Sequence, residues 1–248
     1  MVVQEIERKL VPVHPSIQQQ KKTDKNKIIA ANTKFGLKLF SAILQDTPNE
    51  NIFISPSSVP IAVGMTYNGA TATTKQAMAR ALELEGLALP EINAGNAELK
   101  QILENLDPQV KLAIANSLWA NETAKLDSDF LQRNQKFYQA QVTNLDFTNP
   151  GAINTINEWV SNNTNDKIKQ IVTQISPNQI LFLINAIYFK GQWTNKFDPQ
   201  QTSPYPFQLS SGQKKQVQMM SQSNEFLYNE TDKFQAVNLP YGKDGKVT

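Results

Sequence analysis

A chain of 248 residues, 40% hydrophobic and 19% charged, has enough apolar material for a sizeable core. Its formal net charge of +2 creates no field that would hold a nucleic acid, and the absence of cysteine excludes disulfides, thiol catalysis and zinc–thiolate sites. No stretch has the length and hydropathy of a transmembrane span, and M-V-V-Q-E-I-E-R-K-L at the start is broken by charges where a signal peptide would be apolar. No membrane partner is expected. The compartment stays open: cytoplasmic as written, with extracellular or periplasmic residence equally compatible.

Residues 1–27 are polar, with Pro12, Pro15 and the run Gln18 to Lys22, and are expected to form a disordered tail. From Ile28 the pattern turns helical, with Ala31, Phe35, Leu39, Ala42 and Ile43 at three-to-four spacing. Leu37, Phe40 and Leu44 add a second stripe, which predicts a helix covered on more than one side. Asn51 to Ile54 is expected as a short strand. Ser55-Pro56-Ser57-Ser58 then opens a helix from Val59 to Tyr67 that is apolar nearly all round and therefore central. Thr73 and Gln76 have capping-box spacing for a short helix through Leu82. Another helix follows Pro90, with Leu99, Ile102, Leu103 and Leu106 on one face. Val110 to Asn121 reads as a buried strand, Asp127 and Ser128 as the cap of a helix through Phe137, and Val142 to Phe147 as a third strand. Asn149-Pro150 announces a helix striped by Ile153, Ile156, Trp159 and Val160.

The stretch Q-I-L-F-L-I-N-A-I-Y-F-K-G-Q-W, from Gln179 to Trp193, has no polar alternation and is punctuated by Pro177-Asn178 and Gly191. That pattern suits a strand covered on both faces, in the middle of a sheet. Asn185 alone interrupts it. A buried amide without partners costs roughly 1–3 kcal/mol, so Asn185 is either satisfied locally by backbone or water, or part of a polar latch in a sheet that opens. After a loop-rich stretch to Pro206, Val217 to Met220, Phe226 to Tyr228 and Ala236 to Leu239 read as strands. Helices first, then strands interleaved with isolated helices, define an α+β fold.

Catalytic chemistry is missing. His14, the single histidine, falls in the tail, so neither a Ser-His-Asp triad nor a multi-histidine metal site is possible. The acid pairs Glu83/Glu85 and Asp127/Asp129 suit solvated helix surfaces. G-K-D-G-K at 242–246 lacks the spacing and hydroxyl of a phosphate loop and suits a hairpin turn. The tripeptides at Asn121, Asn162 and Asn229 match a glycosylation pattern that is common by chance. Neither an enzyme nor a cofactor is expected.

An ordered series of motifs resembles the serpin family over residues 28–248. L-I-N-A-I-Y-F-K-G-Q-W is followed by Phe197, Thr202, Phe207 and Gly212, then by V-Q-M-M-S-Q, Phe226, Tyr228 and N-L-P-Y. Upstream stand N-I-F-I-S-P-S-S-V at 51–59, I-A-N-S-L-W-A-N at 114–121, and N-G-A-T-A-T-T at 68–74, where Ala72 replaces the family's usual glycine. The resemblance implies a large central mixed sheet with smaller sheets and surrounding helices. It also implies a suicide inhibitor of serine-type proteases, whose cleaved bait loop inserts into the central sheet.

By the same resemblance, Ser55, Ser58 and Asn185 form a polar shutter beneath the sheet, which a histidine beyond Thr248 would complete. Lys190, Gly191, Trp193 and Tyr241 mark the breach at the top of the sheet, where insertion begins. Thr248 falls where a serpin would enter another strand. The expectation is therefore an incomplete, C-terminally truncated serpin domain over 28–248, lacking the reactive loop and not inhibitory alone. A non-inhibitory serpin scaffold, carrier or chaperone-like, is the alternative. Lys100 as the single base of the helix from Pro90 to Leu106 argues against activation by heparin.

Overall fold

The structure, a computed structural model, describes residues 16–176, 178–243 and 245–248, with side chains from residue 26 onward. Four helices come first: α1 (Ser16–Asp46), α2 (Ser58–Tyr67), α3 (Ala72–Ala81) and α4 (Leu89–Glu104). Then β1 (Val110–Asn121), α5 (Ser128–Tyr138), β2 (Gln141–Leu145), α6 (Gly151–Asn163) and β3 (Leu181–Gly191) alternate. Four short strands follow: β4 (Ser203–Gln208), β5 (Lys214–Met219), β6 (Tyr228–Glu230) and β7 (Gln235–Val237).

The polar start behaves differently from its composition. Helix α1 already begins at Ser16, taking in residues 16–27 that were expected to be tail, because Gln and Lys are good helix formers. Residues 1–15, and with them His14, lie outside the described residues. Ile28 and Ala31 pack with Tyr67, Leu82 and Ile92 in a core between α1, α3 and α4. The second stripe of α1 is not covered: Leu37 is 67% exposed, and Phe40 and Leu44 are exposed as well. The strand expected at Asn51 to Ile54 is also absent. That segment pairs with no strand among the described residues, and Phe53 is 99% exposed.

The main sheet is mixed, in the order β2-β1-β3, with β1 parallel to β2 and antiparallel to β3. Among the described residues the strand through Asn185 is thus not the interior one. β1 holds the centre and β3 forms an edge among the described residues, although helices cover both its faces. On one face Leu183 and Ile187 of β3 join Leu112 and Ile114 of β1 against Ile61 and Met65 of α2 and Tyr138 of α5. On the other, Trp119, Phe182 and Ile184 pack with Phe147 and with Ile156 and Val160 of α6. Coverage of both faces explains the continuous apolar run.

Two small antiparallel hairpins complete the described structure, β4 with β5 and β6 with β7. Sequence had left the β4 segment in a loop, since its two prolines weaken a strand pattern. The turn at 242–246 closes as expected: Tyr241 N donates to Val247 O at 2.7 Å, and Gly242 and Gly245 have φ of 76° and 62°. Ala72, which stands in place of glycine, has φ of 46°, a left-handed conformation that a Cβ disfavours. Among the described residues no helix is long and apolar enough to cross a membrane, and no cluster of His, Cys, Asp or Glu could hold a metal ion.

Candidate functional site

The register of the sheet sets Asn185 directly opposite Asn116. Side chains alternate along a strand, so both amides share the face that carries Ile114 and Ile187 and looks toward α2 and α5. Asn185 Nδ2 donates to Asn116 Oδ1 at 2.7 Å, and Asn116 Nδ2 donates to the carbonyl oxygen of Tyr138, also at 2.7 Å. Asn185 is half-buried and its Oδ1, shielded from solvent, has no partner among the described residues. An interstrand amide pair therefore exists under the sheet.

Its composition differs from expectation. Ser58 opens α2, which packs against β3, and Ser55 Oγ accepts from Ser58 N at 3.4 Å. The hydrogen bond of Asn185 nevertheless goes to Asn116 and not to either serine. Sequence reasoning quoted Asn116 within a motif but gave it no role. Its signal was an amide amid the small residues Ala115 and Ser117 of a buried strand, and only the β1–β3 register shows what it faces.

Tyr138 is the third member of this assembly. It is 1% exposed, and burial pushes its phenol up to about 12, against a smaller opposite pull from the hydrogen bond that Asn96 donates to its oxygen.

At the C-terminal end of β3 the expected residues meet. The rings of Trp193 and Tyr241 stack with centroids 4.1 Å apart at 19°, and Phe189 meets Tyr241 edge-on at 5.1 Å. Gly191 makes room for this clasp, because a Cβ there would lie 2.8 Å from Tyr241 Cδ1. Main-chain bonds hold the two segments together: Thr194 N donates to Pro240 O at 2.9 Å and Gly242 N to Gln192 O at 2.8 Å. Lys190 does not join. It is exposed on β3, across from Lys111. Asp107, which sequence reasoning missed, ties the clasp to the loop entering β1. Its buried carboxylate accepts from Gln109 N at 2.7 Å and from Lys243 N at 2.9 Å.

Between latch and clasp runs the outer edge of β3. Over the 11 residues from Leu181 to Gly191, no strand pairs with that edge among the described residues. A strand edge presents N–H and C=O groups ready to template another strand. Here that edge lies between helices on both faces, with a polar pair beneath it.

The fold therefore defines a class: an α+β protein whose helix-clad mixed sheet carries, among the described residues, a long unpaired edge. The chain belongs to the serpin family, since the model for serpin (serine protease inhibitor) matches residues 30–248. It is 36% identical to the leukocyte elastase inhibitor of Bos taurus over 87% of the chain and 58% of that protein. It is 34% identical to an uncharacterized serpin-like protein of Methanosarcina mazei, over 86% of the chain and 51% of that protein. Among solved structures, human thyroxine-binding globulin superposes with TM-score 0.79 at 28% identity, covering 88% of this chain and 60% of that one. Cleaved kallistatin complexed with heparin superposes with TM-score 0.83 at 26% identity, covering 89% and 66%. The chain thus spans little more than half the length of the curated relatives it matches.

Proposed function

We propose that the serpin to which these residues correspond is a suicide inhibitor of serine-type proteases, using the outer edge of β3 as the place where its cleaved loop is added. The protease serine attacks the bait carbonyl, and the scissile C–N bond breaks with the new amine terminus leaving and taking up the serine's proton. The loop, held as an acyl ester, enters the sheet before water can release it. In this scheme the protease supplies the nucleophile, and the inhibitor contributes the bait and the sheet. Serpin loop insertion is itself a known instance of strand addition. The observation that carries this reading is the edge of β3, unpaired among the described residues and clad in helices on both faces. A strand placed there gains main-chain hydrogen bonds along its whole length, each worth about 0.5–1.5 kcal/mol net.

The remaining site residues take roles along this edge. Asn185 with Asn116, and Ser55 and Ser58 at the start of α2, form the shutter under the sheet, where directional bonds can be exchanged as strands shift. Gly191, Trp193 and Tyr241 form the clasp where insertion begins, and Lys190 flanks it. The relationship to leukocyte elastase inhibitors supports a serine-protease target. A polypeptide carrying these residues together with the rest of a serpin's length, mixed with elastase-like and trypsin-like proteases, is expected to give an SDS-resistant covalent complex. Cleavage without a complex would sink inhibition.

The similarity to thyroxine-binding globulin favours a second reading, a carrier that uses the fold as a scaffold. Small residues in the hinge before the bait loop separate inhibitor from carrier, which would have bulky or charged ones there. For the 248-residue chain itself, the inhibitor reading predicts that an extended peptide of alternating Thr and Val anneals along β3 and raises thermal stability; no uptake counts against it.

A further inference from the structure

The Asn116–Asn185 pair is one end of a longer chain of buried hydrogen bonds. The hydroxyl of Tyr138 donates to Asn93 Oδ1 at 3.0 Å and accepts from Asn96 Nδ2 at 3.2 Å, both asparagines lying on α4. Asn93 Nδ2 donates in turn to Asn68 Oδ1 at 2.8 Å, at the C-terminal cap of α2. The carbonyl oxygen of Tyr138 meanwhile accepts from Asn116 beneath the sheet. One residue at the end of α5 therefore has its hydroxyl fixed in α4 and its main chain fixed to β1.

The ring has no slack between these attachments. A Cβ at Gly64 of α2 would lie 2.8 Å from the Tyr138 hydroxyl, so glycine is what lets the phenol reach α4. Packing alone would be served by phenylalanine, and the hydroxyl is shielded from water, so its bonds to α4 are what the tyrosine adds. Along the same chain, Asn96 Oδ1 and Asn185 Oδ1 stay buried without a partner among the described residues. Native interiors rarely leave such groups unpaired. A network with spare acceptors near both ends has other pairings open to it if the sheet shifts.

We propose that Tyr138 is a positioning residue that pins the β1–β3 pair to α4 through its two hydroxyl bonds, so that the pair moves when those bonds break. This rests on the reading that β3 shifts to admit a strand.

Segment-resolved hydrogen–deuterium exchange on the 248-residue chain tests it. Tyr138→Phe keeps the ring and the carbonyl and deletes only the hydroxyl. Exchange over 112–118 and 183–188 is expected to accelerate about tenfold, while 152–160 in α6, on the opposite face, changes less than about twofold. Equal acceleration in all three segments, or none over 112–118, overturns the proposal. Asn96→Ala removes one of the two bonds and should give the same pattern more weakly, which covers the case in which Tyr138→Phe does not fold. Because the main-chain ladder joins β1 to β3, Tyr138→Phe should still accelerate 183–188 in an Asn185→Ala background; acceleration confined to 112–118 there overturns the claim that the two strands move as a pair. Exchange reads the pin with no added strand. Loss of peptide uptake with this pattern intact would remove the inhibitor reading and leave the pin standing.

Discussion

Asn116→Ala is the substitution with the largest expected effect in the latch. Asn116 is 3% exposed and makes two bonds of 2.7 Å, one accepting from Asn185 and one donating to Tyr138 O. Alanine leaves both partners buried and unpaired. At roughly 1–3 kcal/mol for each such group, the loss is about 2–6 kcal/mol, a large share of the roughly 5–15 kcal/mol that stabilises a typical domain. Asn185→Ala breaks just one bond and removes an acceptor that was already unpaired, so its cost is about 0–1 kcal/mol. Replacing both residues by leucine removes both sides of the Asn116–Asn185 bond, leaves only Tyr138 O unpaired, and should cost less than Asn116→Ala alone, by about 1 kcal/mol or more. Urea titrations followed by circular dichroism measure this. With a slope of about 2–3 kcal/mol per molar, Asn116→Ala should lower the midpoint by about 0.7–3 M. A shift below about 0.3 M, or a leucine pair less stable than the single alanine, would refute the account of the pair as a coupled buried unit.

Three further outcomes follow from local geometry. Gly191→Ala drives a methyl against Tyr241 and should cost about 1–3 kcal/mol while shifting the fluorescence of Trp193, since the stacked ring must move. Ala72→Gly relieves a left-handed φ and should raise Tm by about 2–4 °C for each kcal/mol recovered, read by calorimetry. The phenol of Tyr138 titrates near 10.0 when unfolded and near about 12 when folded, so the folded state holds its proton longer. The stability from this group is complete below pH 10.0 and is lost as pH rises toward about 12, a decline that urea titrations should show and that Tyr138→Phe should abolish.

Much of this molecule was legible from residue order. The apolar belt of α2, the stripes of α4 and α6, the runs of β1 and β3 and the α+β sequence of elements all follow from spacing, because side-chain burial imposes a period on the chain. With no cysteine, a single histidine at position 14, and acid pairs that suit solvated helix surfaces, the residues offered no recognisable catalytic motif. Gly191, Trp193 and Tyr241 were legible through resemblance, and the structure brings them into one clasp.

Which strand lies in the middle was a different matter. Hydrophobicity reports how the two faces of a strand are covered, and helices cover both faces of β3. Its outer edge consists of N–H and C=O groups that nearly every residue carries alike, so no residue pattern reveals whether a neighbour is there. The same limit explains Asn51 to Ile54, strand-like in composition yet unpaired, and Asn116, whose partner depends on a register across 69 residues of chain. The amino-acid order by itself indicated which segments carry a buried face and offered no catalytic motif. Only the tertiary structure decided which strand edge is free and which amide faces which, because main-chain pairing and register are settled when separate segments meet.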